Sequence, residues 1–394
     1  MKILTFSTLF PNSEKPGHGI FVETRLRHLV ASGKVEARVV APVPWFPSTN
    51  PRFGNYAKGA RVPREELRHG LRVAHPRYPT IPKIGMNVAP LLLAQSVKPT
   101  IARMLDEGYD FDLIDAHYFY PDGVAAAMLA RYFNKPLVIT ARGSDITLLP
   151  NYPLPRRMIR WAARRADAVI TVCNALRDEV VNLGVDAERV TSLRNGVDLA
   201  LFQPVERVAN TSFTLLTVGH LVPVKAQELI IAALPLLPGV RLVVAGDGPN
   251  RQMLEDLSRR LNVVDRVEFL GAVPQAQLRG HYGTADALVL ASSREGWANV
   301  LLESMACGTP VVASRVYGTP EVVAAAEAGV LMAERSPQGL ADAVNALRAN
   351  YPERAATRRY AEGFSWDDTT AGQLRLFGEV LARRTGCMAS ALSY

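Results

Sequence analysis

The chain alternates short apolar runs with longer segments in which apolar residues recur every three to four positions, and it does so in both halves. In the first half, Lys2 to Ser7, Ala37 to Ala41, Phe111 to His117, Pro136 to Thr140 and Val169 to Val172 read as strands. Ile20 to Ala31, Val88 to Leu105 and Pro155 to Ala168 carry helical spacing. In the second half the strand runs are Phe213 to Val218, Val240 to Ala245, Arg266 to Gly271, Ala287 to Ala291, Val311 to Ala313 and Gly329 to Leu331. Helices are predicted after Lys225 as far as Leu237, from near Asn299 to Gly308, and from Trp366 to about Arg384. Strand and helix alternating twice over predict an α/β protein of two doubly wound parallel sheets.

Punctuation along the chain sets the expected boundaries. Asn195-Gly196 is a strong turn signal, and Pro204 to Thr211 reads as a linker. The expected organisation is a first domain over 1–203, a second over 212–365 and a terminal helix over 366–385. Between Pro42 and Gly85 lie eight prolines and many arginines with little periodicity, which reads as a long surface excursion. It is either a decorated insertion or a mobile loop forming part of an acceptor site.

Composition narrows the class. With 394 residues, 48% of them hydrophobic, the chain can fill two cores. Cys173, Cys307 and Cys387 lie far apart with no C-x-x-C pair, so neither a disulfide framework nor a zinc site is expected, and a cytoplasmic location fits. The opening MKILTFSTLF is followed by Pro11-Asn12-Ser13-Glu14 and reads as a first strand, not a signal peptide. The net charge of +8 is all in the first half: residues 1–203 hold 27 Lys and Arg against 18 Asp and Glu, leaving 18 against 19. That asymmetry points to an acidic partner, such as a phosphorylated acceptor or an anionic membrane face. Nucleic acid is disfavoured, because none of its usual binding motifs is present.

The candidate chemistry clusters at strand ends. Ser292 to Gly296 joins a strand to a helix, and the backbone from Gly296 through Trp297, Ala298, Asn299 and Val300 forms a helix N-terminus that suits phosphate. Glu295 before it and Glu303 within the helix either bracket a sugar-diphosphate-ribose or are solvated charges beside an ordinary turn. In the first half, Gly17 and Gly19 occupy a strand-to-helix turn where backbone can approach a phosphate. As a dinucleotide fingerprint this turn is poor, since Val22 stands where a glycine or alanine is needed and the second strand ends without an acid. An NAD-type oxidoreductase is accordingly a weak alternative. His117 ends a strand at the edge where open α/β sheets bind ligands, and Arg142 ends the next. Pro155 to Ala168 spreads five arginines around an apolar stripe; such a helix either lies on an anionic membrane or packs on the sheet and solvates its charges.

Glu295-Gly-Trp-Ala-Asn-Val-Leu-Leu-Glu303 followed by Ser-Met-Ala-Cys-Gly-Thr-Pro-Val-Val resembles the E-x7-E signature of the retaining glycosyltransferases of the GT-B fold, family 4. Asn195-Gly-Val-Asp with Phe202 and Pro204, and Gly246-Asp-Gly-Pro249, are similar to further runs of that family. The resemblance covers nearly all of residues 1 to 385. It implies two Rossmann-like domains facing a cleft, a terminal helix crossing back to the first, and transfer of a sugar from a nucleoside-diphosphate sugar, such as a UDP-sugar, without a metal. It places Glu295 and His117 by the donor sugar, Glu303 on the ribose, the Gly17/Gly19 loop facing the donor and Lys225 on the diphosphate. Two positions depart from the family: His220 stands where an arginine is usual, and Arg142 where a histidine is. An arginine can fork onto phosphate or carboxylate, so Arg142 is expected to contact donor phosphate or an anionic acceptor, with Arg294 a second source of the missing charge. A catalytically silent nucleotide-sugar-binding protein is the other reading these departures leave. The expected acceptor is a glycan or a lipid-linked, anionic molecule in polysaccharide biosynthesis, met at the inner membrane face.

Overall fold

The computed structural model describes residues 1–80, 85–206 and 211–391. Two compact units emerge, one formed by Met1–Arg194 together with the chain from Asp367 onward, the other by Asn195–Trp366.

The first unit is built on an eight-stranded sheet. Its strands are β1 (Lys2–Phe6), β2 (Glu36–Val40), β4 (Glu65–Arg68), β5 (Leu71–Ala74), β7 (Leu113–His117), β8 (Leu137–Ala141), β9 (Ala168–Thr171) and β10 (Val190–Ser192), with β3 (Val43–Pro44) and β6 (Arg77–Tyr78) as a separate pair. The order is β10-β9-β8-β7-β1-β2-β5-β4, parallel except where β4 runs antiparallel to β5. Residues 42–85 are therefore not simply a surface excursion: Leu71, Val73 and Ala74 are buried, and β5 pairs in parallel with β2. A His69-Gly70 turn with φ of 48° and 82° closes the β4-β5 hairpin, the two-residue connection that matches strand twist. Residues 81–84 of that stretch lie outside the described residues.

The second unit carries six parallel strands, β11 (Phe213–Val218), β12 (Val240–Ala245), β13 (Val267–Gly271), β14 (Ala287–Leu290), β15 (Val311–Ala313) and β16 (Gly329–Leu331), in the order β13-β12-β11-β14-β15-β16. Because helices cover both faces, these strands read as continuous apolar runs rather than alternating ones. Leu215, Leu242, Val244, Val289 and Val312 are all fully buried in one cluster.

Two expected boundaries move. The first unit ends at Arg194, not at 203, because the Asn195–Pro204 run belongs to the second unit: Val197 N donates to Phe364 O, Arg358 donates to Phe202 O and Leu199 O, and the Phe202 ring meets Tyr282 edge-on. The expected linker falls partly on 207–210, outside the described residues. The terminal helix, Trp366–Ala391, completes the first unit's core. Phe377 and Val380 are buried beside Ile3, Val22 and Leu113. Among the described residues no helix is long and apolar enough to cross a membrane.

Candidate active site

In the second unit the strand order reverses between β11 and β14, and open α/β sheets bind ligands at the carboxyl ends of strands where this happens. The loop after β11 leads through a short 3-10 turn, Pro223–Lys225, into the helix Gln227–Ala233. Ala226 between them adopts φ 51°, ψ 43°, a left-handed conformation costing about 1 kcal/mol for a residue with a Cβ. This bend carries Lys225 toward the loop after β14, where its Nζ meets Glu295 Oε1 at 2.5 Å. The pair keeps contact with solvent, the lysine side chain being 25% and the glutamate 11% exposed. Ser293 N donates to Val224 O at 2.8 Å, tying the two loops together at the backbone as well.

Beneath the lysine loop, the turn after β12 packs so closely that a Cβ on Gly248 would lie 2.5 Å from Leu221 O. Leu221 N donates to Asp247 O and Asn250 N to Leu221 O, both at 3.0 Å. The Gly246-Asp-Gly-Pro249 run thus supports the lysine loop from below.

Beyond Glu295, helix Asn299–Ala306 opens at Ala298, which offers no side-chain oxygen as a cap. Its first-turn N–H groups face the end where the helix dipole attracts anions. Glu303 sits inside that helix at 8% exposure. Its Oε2 accepts from the Tyr282 hydroxyl at 2.8 Å and its Oε1 from Gln275 Nε2 at 3.0 Å. Burial raises the Glu303 carboxyl above its ordinary range, against these two hydrogen bonds. Asn299 Oδ1 accepts from Asn195 Nδ2 at 3.2 Å. The Trp297 ring turns inward: it is 7% exposed and faces Phe364, ring centroids 6.2 Å apart. Apolar burial wins over solvent contact for so large a ring. His220 is exposed on the lysine loop, where its carbonyl accepts from Gln227 Nε2.

The first unit presents a second switch point, between β1 and β7. Here Asp122 accepts from Thr8 N at 2.7 Å and from the Ser7 and Thr8 hydroxyls, and burial pushes its carboxyl up to about 7. His117, at the end of β7, is buried at 1% exposure. Its Nε2 lies 3.1 Å from Asp115 Oδ2, and Arg142 Nη2 donates to its Nδ1 at 2.7 Å. Since a guanidinium only donates, Nδ1 must be unprotonated and Nε2 must carry the hydrogen. The ring is neutral, consistent with a pKa lowered by burial and by Arg142. Both ring nitrogens are thus engaged within the unit, one with Asp115 and one with Arg142. Arg142 faces the Phe21 ring at 5.2 Å and is 9% exposed. Burial and Arg25 draw its pKa down to about 9, leaving it charged at neutral pH. It braces His117 from the interior. The network runs on: Gln373 of the terminal helix donates to Asp115 Oδ2 at 3.3 Å and accepts from Arg25 Nε at 3.0 Å.

Gly19 adopts φ 69°, and a Cβ there would lie 2.3 Å from the Leu9 carbonyl. Its smallness is required by its own chain. At Gly17 a Cβ meets nothing within 4 Å.

Sequence reasoning missed Asp115, Gln275, Tyr282, Gln373 and Asp122. Asp115 alone carried a signal, since Asp-Ala-His at a strand end puts the acid and His117 on one face.

The second unit is thus a Rossmann-type α/β sheet whose switch point holds a lysine-glutamate pair beside an uncapped helix. The chain belongs to the glycosyl transferases group 1 family, whose model matches residues 201–364, with residues 17–201 matching that of glycosyltransferase family 4. It is a glycosyltransferase of the GT-B fold. It is 31% identical over 304 residues to the D-inositol 3-phosphate glycosyltransferase of Mycobacteroides abscessus, covering 70% of this chain and 68% of that one. It is likewise 31% identical over 360 residues to a putative teichuronic acid biosynthesis glycosyltransferase, TuaC, of Bacillus subtilis, covering 87% and 88%. Sucrose-phosphate synthase from Thermosynechococcus elongatus shares the fold with a TM-score of 0.80 at 20% identity, over 97% of this chain and 100% of that one. Family membership removes the oxidoreductase alternative.

Proposed function

We propose that the protein transfers a sugar, with retention of anomeric configuration, from a nucleoside-diphosphate sugar to an anionic acceptor in polysaccharide or glycolipid assembly. The observation that carries this reading is the Lys225–Glu295 pair at 2.5 Å across the switch point of the second sheet, beside an uncapped helix start. Departure of a nucleoside diphosphate develops negative charge on its outer phosphate. A lysine and backbone N–H groups already in place stabilise that charge without reorganising. Lys225 exchanges its contact with Glu295 for the diphosphate, and Glu295 is released toward the sugar hydroxyls. Glu303, held by Tyr282 and Gln275, keeps lone pairs for the ribose. In a front-face displacement the bond from the anomeric carbon to the phosphate oxygen breaks while the acceptor oxygen bonds to that carbon from the same side. The acceptor proton passes to the departing phosphate.

An acidic acceptor is supported by the charge of the first half and by the name of the Bacillus relative, which refers to teichuronic acid biosynthesis. The test is product formation with UDP-, GDP-, ADP- and dTDP-sugars, each offered phosphorylated and neutral acceptors, followed by NMR assignment of the new anomeric centre. One donor class giving a retained product from an anionic acceptor is the expected result. Inversion, or turnover with neutral acceptors alone, overturns the retaining or the anionic part respectively.

A further inference from the structure

Helix Pro153–Arg165 carries no acidic residue, and the one acidic side chain beside it, Glu179, lines a pocket with Arg156 at one edge of its exposed side. Arg156, Arg157, Arg160, Arg164 and Arg165 are all exposed, and among the described residues none forms an ion pair. Pro155, Ile159, Ala162 and Ala163 are buried within the first unit, so at 100° per residue Arg157 and Arg164 lie at the centre of the outer face, with Arg160 to one side of it. Local electrostatics argue against this pattern as a mere solvated surface. Arg156 stands in the first turn, where the dipole repels cations. Arg156, Arg160 and Arg164 are like charges at successive i,i+4 spacings.

The arginines do not stand alone. Tyr152 and Leu154 at the start of the helix are 45% and 44% exposed, and Trp161 lies beneath Arg165, whose guanidinium carbon is 4.2 Å from the ring centroid. Together with Pro150 and Asn151 the helix lines a shallow groove of about 600 Å³. Exposed aromatic and leucine side chains at the edge of a basic helical face have the composition of an element lying in a bilayer interface, apolar side chains among the acyl boundary and guanidiniums among phosphates.

We propose that this face docks the first unit onto a membrane rich in anionic phospholipid. Charge complementarity selects that occupant over a zwitterionic surface, and the exposed Tyr152 and Leu154 select a bilayer over a soluble polyanion. The inference does not depend on the donor or acceptor proposed above.

The experiment is co-sedimentation of the full chain with phosphatidylcholine vesicles, with and without about 30% phosphatidylglycerol, in low salt and in 0.5 M NaCl. Wild type is expected to bind the anionic vesicles only, and to leave them at high salt. Each juxtamembrane arginine contributes about a fivefold factor in partitioning, so Arg157→Gln with Arg160→Gln lowers it about 25-fold. Leu154→Ser lowers it several-fold with the salt dependence unchanged. Circular dichroism and the melting temperature report whether the variants are folded. Wild-type partitioning of the double variant, binding to neutral vesicles alone, or binding of soluble polyphosphate without vesicle binding would each overturn the proposal.

Discussion

Glu303 separates stability from binding, and replacing it by glutamine exposes the difference. In the folded protein its two oxygens take hydrogen bonds from Tyr282 and Gln275, and burial raises its pKa. A raised folded pKa means that the folded state holds the proton more tightly than the unfolded state. This contribution to stability is present at acid pH and is lost as pH rises through the folded value. Glu303→Gln abolishes the ionisation and keeps an acceptor for the Tyr282 hydroxyl. If the Gln275 amide turns over, its oxygen meets the new NH2 group and neither partner is orphaned. Thermal unfolding at pH 8 should therefore show the variant at least as stable as wild type, with the difference shrinking toward pH 5. Glu303→Ala leaves the buried Tyr282 hydroxyl unsatisfied, at about 1–3 kcal/mol, takes the partner from the half-buried Gln275 amide, and should melt lower at every pH. Binding should go the other way. A hydrogen bond to a charged group contributes about 1.5–3 kcal/mol, so losing one to a ribose hydroxyl weakens nucleotide affinity roughly 10- to 150-fold in the glutamine variant. Wild-type affinity should also fall on acidification, at a pH above the ordinary glutamate range, and the variant should not follow. Calorimetric titration with nucleoside diphosphates gives the affinities. A glutamine variant that binds as tightly as wild type refutes the ribose role, and one that melts as low as the alanine variant refutes the account of the buried charge.

Three further outcomes follow from the geometry. Lys225→Met should lower donor kcat/KM by about 100- to 1,000-fold, the range for one preorganised charge-stabilising donor, while its partly exposed ion pair contributes no more than about 1 kcal/mol to stability; a loss below tenfold moves the phosphate charge elsewhere. Gly248→Ala pushes a methyl group to 2.5 Å from Leu221 O, so it should destabilise by about 1–3 kcal/mol and raise donor KM through the lysine loop; an unchanged melting curve contradicts the close approach. Asp122, with its pKa pushed up to about 7, favours folding below the ordinary aspartate value and loses that contribution as pH climbs to 7, so Asp122→Asn should flatten the fall of Tm between pH 5 and 8; parallel slopes in variant and wild type sink this assignment.

Much of the fold was legible because parallel strands covered on both faces are continuous apolar runs. Phe213–Val218 and Val240–Ala245 were bounded correctly to the residue. The β4-β5 hairpin escaped because eight prolines drew attention from the Glu65–Arg68 and Leu71–Ala74 runs and the two-residue turn between them. Of the site, Lys225 and Glu295 were visible as residues, but their pairing depends on β11 and β14 being neighbours. Gln275 and Tyr282 belong to the helix Gln275–Thr284, far from Glu303 in sequence, and no local pattern assigns them. Gly19 was read as room for a phosphate; the close approach of the Leu9 backbone, which also requires a glycine there, has no local sequence signal. The direction of the Trp297 ring was not legible, because a motif fixes where a backbone goes more firmly than which way a large ring turns.

The route of the chain through the first unit has a consequence for its biosynthesis. Arg25 is fully buried and donates to Leu193 O and to Gln373 Oε1; Phe377 and Val380 close the core over it. None of these terminal-helix groups exists until the ribosome has added the whole of the second unit after Arg194. At roughly 5–20 residues per second that interval lasts on the order of 10–40 s. The second unit is contiguous and can fold as it emerges, whereas the unit synthesised first waits with a guanidinium and an apolar face uncovered. The nascent chain is therefore most exposed to misassembly in its oldest part, and a stop codon before Gln373 would leave that part permanently open.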